Sequence, residues 1–174
     1  GYAAGMLSRD LLLTAFDNVE GAVRGVLDGL DPALLDERID PQANTIGWLV
    51  WHLLRVQDDH VAEVAGRPQA WTDAGWAERF DLPFDLGATG YGFSSDDVAA
   101  TRVTDPELLT GYSTEVHRRT AEFVRGLSDA DLDRVVDERW DPPVTLGVRL
   151  VSVLTDDLQH AGQAAFLRGT LDRR

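Results

Sequence analysis

The sequence predicts an all-α protein, a four-helix bundle with one long crossover between its second and third helices. Four segments carry apolar residues at helical spacing, no segment carries a convincing strand pattern, and one connection is much longer than the others. A length of 174 residues is typical of one domain with a full-sized core. We therefore expect a single domain, 1–174.

The first two helices are predicted in the first third of the chain. The first runs from about Ser8, its expected N-cap, to Leu30. The second runs from Thr45 to about Ala65 and ends at Gly66, a typical C-terminal residue. The apolar positions of the first helix recur every three or four residues: Leu12, Phe16, Val19, Val23, Val26 and Leu30.

The other two helices are predicted in the last 70 or so residues. The third begins at Thr104-Asp105-Pro106, with proline at the first helical position, and runs to about Leu127. The fourth runs from Thr145 to about Leu171.

The long connection, residues 66–103, is rich in aromatic side chains. Connections of this length in compact domains generally cover part of the protein or cross from one element to another. Aromatic residues gain much free energy by burial, so we expect the connection to pack against the helices. These residues are Trp71, Trp76, Phe80, Phe84, Tyr91 and Phe93.

Composition and charge exclude several classes of function. A net charge of −14 disfavours binding to nucleic acid and to anionic membrane surfaces, and no apolar run is long enough to span a bilayer. The chain has no cysteine, so a metal site must use His, Asp and Glu, and a cytoplasmic protein is the simplest interpretation. All 16 basic residues are arginine, a bias typical of a GC-rich genome.

The fourth helix places an acid and an imidazole where apolar residues are expected. His160 lies in the stretch “LTDDLQHAGQAAFLRG”, residues 154–169, and Asp156 precedes it by one turn. His160 shares a helical stripe with Val153, just before this stretch, and with Leu167. Residues at i and i+4 are neighbours, so Asp156 and His160 could chelate one ion. Asp157, at i−3, is an alternative acid.

The second helix offers two further histidines, His52 and His60. Their eight-residue separation is about 12 Å along the helix, too far for one ion to bind both. His60 lies within the apolar stripe and His52 lies at its edge, in register with Asp59. A histidine on an apolar face is often a core residue with one hydrogen bond, but the nearby acid favours a metal site. Spacing alone leaves the choice between His52 and His60 open.

Two stretches resemble a known family. “TIGWLVWHLLRVQDDHVAEVAG” and “LTDDLQHAGQAAFLRG” resemble the DinB/YfiT-like superfamily of four-helix-bundle metalloproteins, and more closely its actinobacterial branch of mycothiol-dependent maleylpyruvate isomerases and transferases. The resemblance implies up-down-down-up topology and one divalent metal bound by His52, Asp156 and His160. It leaves His60, Asp157 and Asp59 as neighbours of the site or alternative ligands. The mycothiol-dependent isomerases usually have Glu where this chain has Asp156.

The resemblance also implies a function. Three N/O ligands leave a coordination position open, with zinc as the first choice and nickel or iron as alternatives. Mycothiol would be the cosubstrate, used for transfer to an electrophile or for isomerisation, and Arg55 and Arg168 could contact a carboxylate of either molecule. The alternatives are a non-catalytic, stress-related binding protein with a structural or vestigial metal, and a metal-dependent hydrolase.

A homodimer is also expected. Trp51 and Leu54 are predicted to remain on the far side of the second helix once the bundle is filled, and such apolar surface favours association. Members of the superfamily also tend to dimerise.

Overall fold

The structure, a computed structural model, describes residues 5–174, and this part of the chain is mostly helical. Short 3₁₀ turns at Pro32–Leu34 and Asp129–Asp133 and two strands, β1 (Val135–Asp137) and β2 (Val144–Thr145), complete the regular structure. None of the described helices is both long and apolar enough to cross a membrane. The helices in chain order are α1 (Ser8–Leu27), α2 (Ile46–Ala65), α3 (Ala70–Asp73), α4 (Trp76–Phe80), α5 (Ser95–Ala100), α6 (Pro106–Arg125) and α7 (Leu146–Leu171).

The four long helices α1, α2, α6 and α7 form where periodicity predicts them, and their ends follow from local chemistry. The Thr45, Asp105 and Thr145 side chains accept hydrogen bonds from the first turns of α2, α6 and α7. α1 departs from the prediction at both ends. Ser8 is its first helical residue rather than its cap, and the helix ends at Leu27 instead of Leu30.

The small sheet corrects the prediction that the chain contains no strand. β1 and β2 pair antiparallel between α6 and α7, with Val135 opposite Thr145 and Asp137 opposite Val144. Strands of three and two residues are too short to show an alternating pattern, and the segment between them is rich in acids and proline. Sequence periodicity therefore could not reveal them.

The core lies between the four long helices. α1 and α2 each pack against both α6 and α7. Phe16, Leu49, Leu109 and Leu150, one from each long helix, are at most 2% exposed. Their burial supplies the hydrophobic free energy that fixes α2 beside α7, where the polar residues singled out above meet.

The long connection (66–103) packs against α2 and α6, as its composition predicts. Trp71, Trp76 and Phe80 are buried against the ring of Tyr112 on α6, with centroid separations of 5.5, 5.7 and 5.8 Å. Tyr91 is the exception among its aromatic residues, since it is 90% exposed.

The packing of this connection corrects the argument for a dimer. Trp51 is 1% exposed and Leu54 is 2% exposed, so neither leaves apolar surface for a second copy. Trp51 contacts the rings of Phe84 and Phe93, which the connection lays over α2. The homodimer itself stays a prediction, which light scattering would test.

Candidate metal centre

Three candidate ligands meet where α2 faces α7. One nitrogen or oxygen each of His52, Asp156 and His160 lies within 4.8 Å of the other two. The Asp156 Oδ2 atom is 3.9 Å from His52 Nε2 and 3.4 Å from His160 Nδ1. The two imidazole rings meet edge to face, with centroids 4.6 Å apart. The i, i+4 spacing on α7 brings Asp156 and His160 together, and helix packing supplies His52.

The long connection orients the His52 ring. His52 Nδ1 lies 2.6 Å from the Thr89 carbonyl oxygen. A carbonyl oxygen can only accept, so Nδ1–H donates and the lone pair of the neutral ring is on Nε2, the nitrogen nearer Asp156. Carbonyl hydrogen bonds of this kind commonly fix the tautomer of metal-binding histidines.

Gly90 allows this close approach. Its φ is +90°, a conformation that residues with a Cβ rarely adopt. A Cβ added there would lie 2.8 Å from His52 Nδ1 and 3.1 Å from the Trp51 ring. The connection can therefore reach His52 only with glycine at this position.

The His160 ring is oriented from its own helix. His160 Nδ1 lies 2.8 Å from the Asp156 backbone carbonyl oxygen, so Nδ1–H donates and Nε2 again carries the lone pair. Trp48 confines both rings. It stacks on His52 at 4.7 Å with an interplanar angle of 7°, and it meets His160 edge-on at 6.1 Å.

Burial and charge act in opposite directions at the three ligands. Burial works to raise the pKa of Asp156, but the adjacent His160, with His52 and His60, lowers it below its usual value. Contact with Asp156 raises the pKa of His160. Burial lowers the pKa of His52, which favours its neutral, metal-binding form.

The donor set fits a divalent cation. Asp156 Oδ2 is buried without a hydrogen-bond partner, and a buried carboxylate oxygen in that state is costly unless a cation compensates it. Two imidazole nitrogens and one carboxylate oxygen are a typical ligand set for such an ion.

The candidate site opens into a cleft of about 190 Å³. Tyr91 and Thr89 of the long connection form one side, and Ser152 of α7 lies on another. His52 and Asp156 line the cleft, so a small molecule could reach these two ligands through it. Its lining is His52, Val56, His60, Thr89, Tyr91, Ser152, Val153 and Asp156.

The alternative ligands make other contacts. His60 Nδ1 is 3.3 Å from Arg149 Nη1, and Asp59 accepts a hydrogen bond of 2.6 Å from Gln69. Asp157 is completely buried, and burial together with the charge of Asp156 raises its pKa well above the usual value. In the part of the chain that the structure describes, the cluster of candidate ligands contains none of these three residues.

The two arginines expected to contact substrate donate hydrogen bonds within the protein. Arg55 is fully buried, donating to the Ala88 carbonyl and to Gln69. Arg168 donates to backbone carbonyls at the end of α1, including that of Val26 at 2.6 Å. The sequence could not show which backbone carbonyls these arginines would meet.

Two of three comparisons with known proteins found a match. The family model described as “DinB superfamily” matches residues 15–164. A solved structure from Enterococcus faecalis, titled “Crystal structure of the conserved protein of locus”, is similar with a TM-score of 0.87 and 26% identity, covering 94% of this chain and 96% of that one. No curated protein matches. These matches do not extend to the mycothiol-dependent branch. Because the family model spans most of the chain and all three candidate ligands, the protein belongs to the DinB superfamily.

Proposed function

We propose that this protein is a divalent-metal-dependent enzyme acting with a small thiol, of the mycothiol-dependent S-transferase or isomerase type. The observation that carries the proposal is the juxtaposition of His52, Asp156 and His160, of which His52 and Asp156 line a cleft that a small molecule can enter. Three protein ligands leave a coordination position free, which is typical of catalytic rather than structural sites.

Zinc is the proposed ion, with nickel or iron as alternatives of compatible ligand preference. When bound, the ion would lower the pKa of a thiol and stabilise its thiolate as a nucleophile. His52, Asp156 and His160 would hold the ion. Two neutral imidazoles and one carboxylate would leave part of its positive charge uncompensated, which favours an anionic sulfur.

The surrounding residues keep this site in order. The Thr89 carbonyl and the Trp48 ring hold His52 in one orientation and one tautomer. Metal catalysis requires a fixed ligand geometry, since misoriented ligands bind the ion more weakly. Tyr91, at the mouth of the cleft, is exposed and free to contact a ligand.

A non-catalytic protein with a structural metal is the second candidate, together with a metal-dependent hydrolase. A structural site is normally closed by a fourth protein ligand. Among the described residues the cluster supplies three, and it borders a cleft, which favours access by a ligand. A hydrolase would use the same residues, so only an assay separates it from a thiol enzyme.

The test is an S-conjugation assay. Zinc-loaded protein is mixed with mycothiol and 1-chloro-2,4-dinitrobenzene, and the conjugate is quantified against a no-protein reaction. We expect acceleration by the wild type and none by His160→Ala. Equal rates in both proteins would refute the proposal. Thiol-independent cleavage of p-nitrophenyl acetate that depends on His160 would instead support the hydrolase.

We also propose that α1, α2, α6 and α7 form a single-domain four-helix bundle running up-down-down-up. Contacts at the helix ends support this order. Arg9 on α1 donates to the Leu127 carbonyl beyond the end of α6, which indicates that α1 and α6 are antiparallel. Arg168, near the end of α7, contacts the end of α1, which indicates that these two helices are parallel.

The direction of α2 has similar support. His52 lies beside Asp156 and His60 lies beside Arg149, so the residue numbers rise along α2 as they fall along α7. Because α2 is antiparallel to α7 and α7 is parallel to α1, α2 is also antiparallel to α1.

A further inference from the structure

A second, larger cavity of about 840 Å³ adjoins the metal cleft. It lies between the end of α2, the start of α7 and the loop that joins β1 to β2. His60 and Ser152 line both cavities, so a ligand in the larger one can extend toward the metal ligands. Its volume is within the range of small-molecule sites, and the proposed thiol chemistry does not assign it a role.

The charges around this cavity are balanced although the chain is strongly acidic. The chain has 30 acidic and 16 basic residues, whereas three residues of each kind line the cavity. An anion would therefore meet less repulsion here than over most of the surface. The six residues are Arg67, Arg139 and Arg149 with Asp59, Glu63 and Asp137.

Arg149 is the buried cation of the cavity. It is 8% exposed, and its Nη1 donates to Glu63 at 2.6 Å. The Glu63 side chain is 64% exposed, so it can leave for water at little cost. Asp137 is held by two hydrogen bonds from the Arg139 side chain, of 2.9 and 2.7 Å, and one from its backbone N–H, of 3.0 Å, and it lies 3.6 Å from Arg149. A ligand carboxylate can therefore replace Glu63 on Arg149 more readily than it can replace Asp137.

Arg149 also determines what His60 can offer. A guanidinium only donates, so the His60 Nδ1 that lies 3.3 Å from Arg149 Nη1 accepts, and the neutral ring carries its hydrogen on Nε2. This tautomer is the reverse of that in His52 and His160. His60 is thus a hydrogen-bond donor at the junction of the two cavities rather than a metal ligand.

Trp140 adds an exposed aromatic surface. It belongs to the loop between β1 and β2, lines the cavity and is 65% exposed. An exposed indole beside arginines is suited to stacking with a flat, anionic ligand.

We propose that the larger cavity binds the electrophilic second substrate and that this substrate is a planar carboxylate. Its carboxylate takes the place of Glu63 on Arg149, its flat body lies against Trp140, and His60 Nε2–H donates to an oxygen near the metal ligands. Calling the ligand the second substrate rests on the proposed function. The preference of the cavity for a planar carboxylate does not.

The experiment uses benzoate as the probe and benzamide as its uncharged counterpart. Binding to the full-length protein is followed by the NMR signal of the Trp140 indole N–H. We expect benzoate to bind saturably and benzamide roughly tenfold or more weakly, because a charged hydrogen bond is lost. Arg149→Gln should weaken benzoate binding to a similar extent.

Glu63→Gln should change benzoate affinity in the opposite direction, to tighter binding. A folding defect would not produce tighter binding. The substitution removes the carboxylate that competes for Arg149, so benzoate should bind several-fold more tightly. Glu78→Gln makes the same charge change on an exposed residue outside the cavity and should leave affinity unchanged. Equal binding of benzamide and benzoate, or no gain in Glu63→Gln beyond that in Glu78→Gln, would overturn the proposal.

The two proposals fail separately. Benzoate binding is measured with and without zinc and in His160→Ala. Benzoate binding in all three samples together with no S-conjugation would keep this inference and refute the thiol enzyme. S-conjugation without benzoate binding would support the thiol enzyme and refute the carboxylate site.

Discussion

Replacing Gly90 with alanine tests whether the long connection controls the metal site through His52. The added Cβ would lie 2.8 Å from His52 Nδ1, closer than real Cβ contacts, and 3.1 Å from the Trp51 ring. The loop backbone at this position must therefore move away from His52 and Trp51. Retreat lengthens the 2.6 Å hydrogen bond between the Thr89 carbonyl and His52.

The size of the effect follows from these contacts. Alanine at a left-handed backbone position costs about 1–2 kcal/mol, and loss of one hydrogen bond costs about 1 kcal/mol. The first cost falls on the stability of the loop, and the second falls on the orientation of His52. Loss of a partner that orients a metal-binding histidine typically lowers the affinity for the metal roughly 10–100-fold. We therefore expect Gly90→Ala to weaken zinc binding by that factor.

The assay is competition with a chromogenic zinc chelator, with urea unfolding measured in parallel. Gly92→Ala is the matched control, because Gly92 has a φ of +74° but no atom within 4 Å of its added Cβ. It should lose stability and keep its zinc affinity. If both variants lose affinity equally, loop strain rather than contact with His52 is responsible. Unchanged affinity in Gly90→Ala would refute the reasoning outright.

Three further predictions concern stability. Asp58→Ala removes the acceptor of two backbone N–H groups and of the Tyr112 hydroxyl, so urea unfolding should show a loss of about 3–5 kcal/mol. Arg168→Gln should cost about 1–2 kcal/mol in the same measurement and leave metal content unchanged, because the side chain caps the end of α1 and pairs with Asp172 but contacts no metal ligand. Hydrogen bonding from Arg118 lowers the pKa of Glu115 from 4.5 to about 2. The stability that Glu115 adds should therefore be complete above pH 4.5 and vanish as pH falls toward 2, and urea unfolding of wild type and Glu115→Gln across that range would show a constant difference if this pairing contributes nothing.

The long helices could be predicted because their signals are local. Thr45 and Thr145 cap helices whose apolar spacing is regular, so the sequence indicates where α2 and α7 begin. The hairpin of β1 and β2 could not, because pairing between strands of three and two residues depends on the elements around it.

The candidate site divides in the same way. The i, i+4 relation of Asp156 and His160 is visible in the sequence, whereas the choice of His52 over His60 came from the family resemblance. Spacing left the choice open, although the apolar stripe contains His60, which the structure places beside Arg149. Contacts between distant segments decide such cases, and one sequence does not encode them visibly.

The roles of Thr89 and Gly90 were also beyond the sequence. The run “GATGYG” shows that the backbone can turn sharply there, but it does not show that the turn lies against α2. Trp51 and Leu54 illustrate the same problem, since their burial depends on where the connection returns.

Metal analysis of purified variants tests the central claim most directly. Plasma mass spectrometry of the wild type should give about one divalent ion per chain, with circular dichroism as the check on folding. His52→Ala and His160→Ala should lose the ion because each removes a ligand. His60→Ala and Asp157→Asn should retain it, since neither residue belongs to the cluster. A protein in which His60→Ala loses the ion while His52→Ala keeps it would contradict the assignment of the metal site.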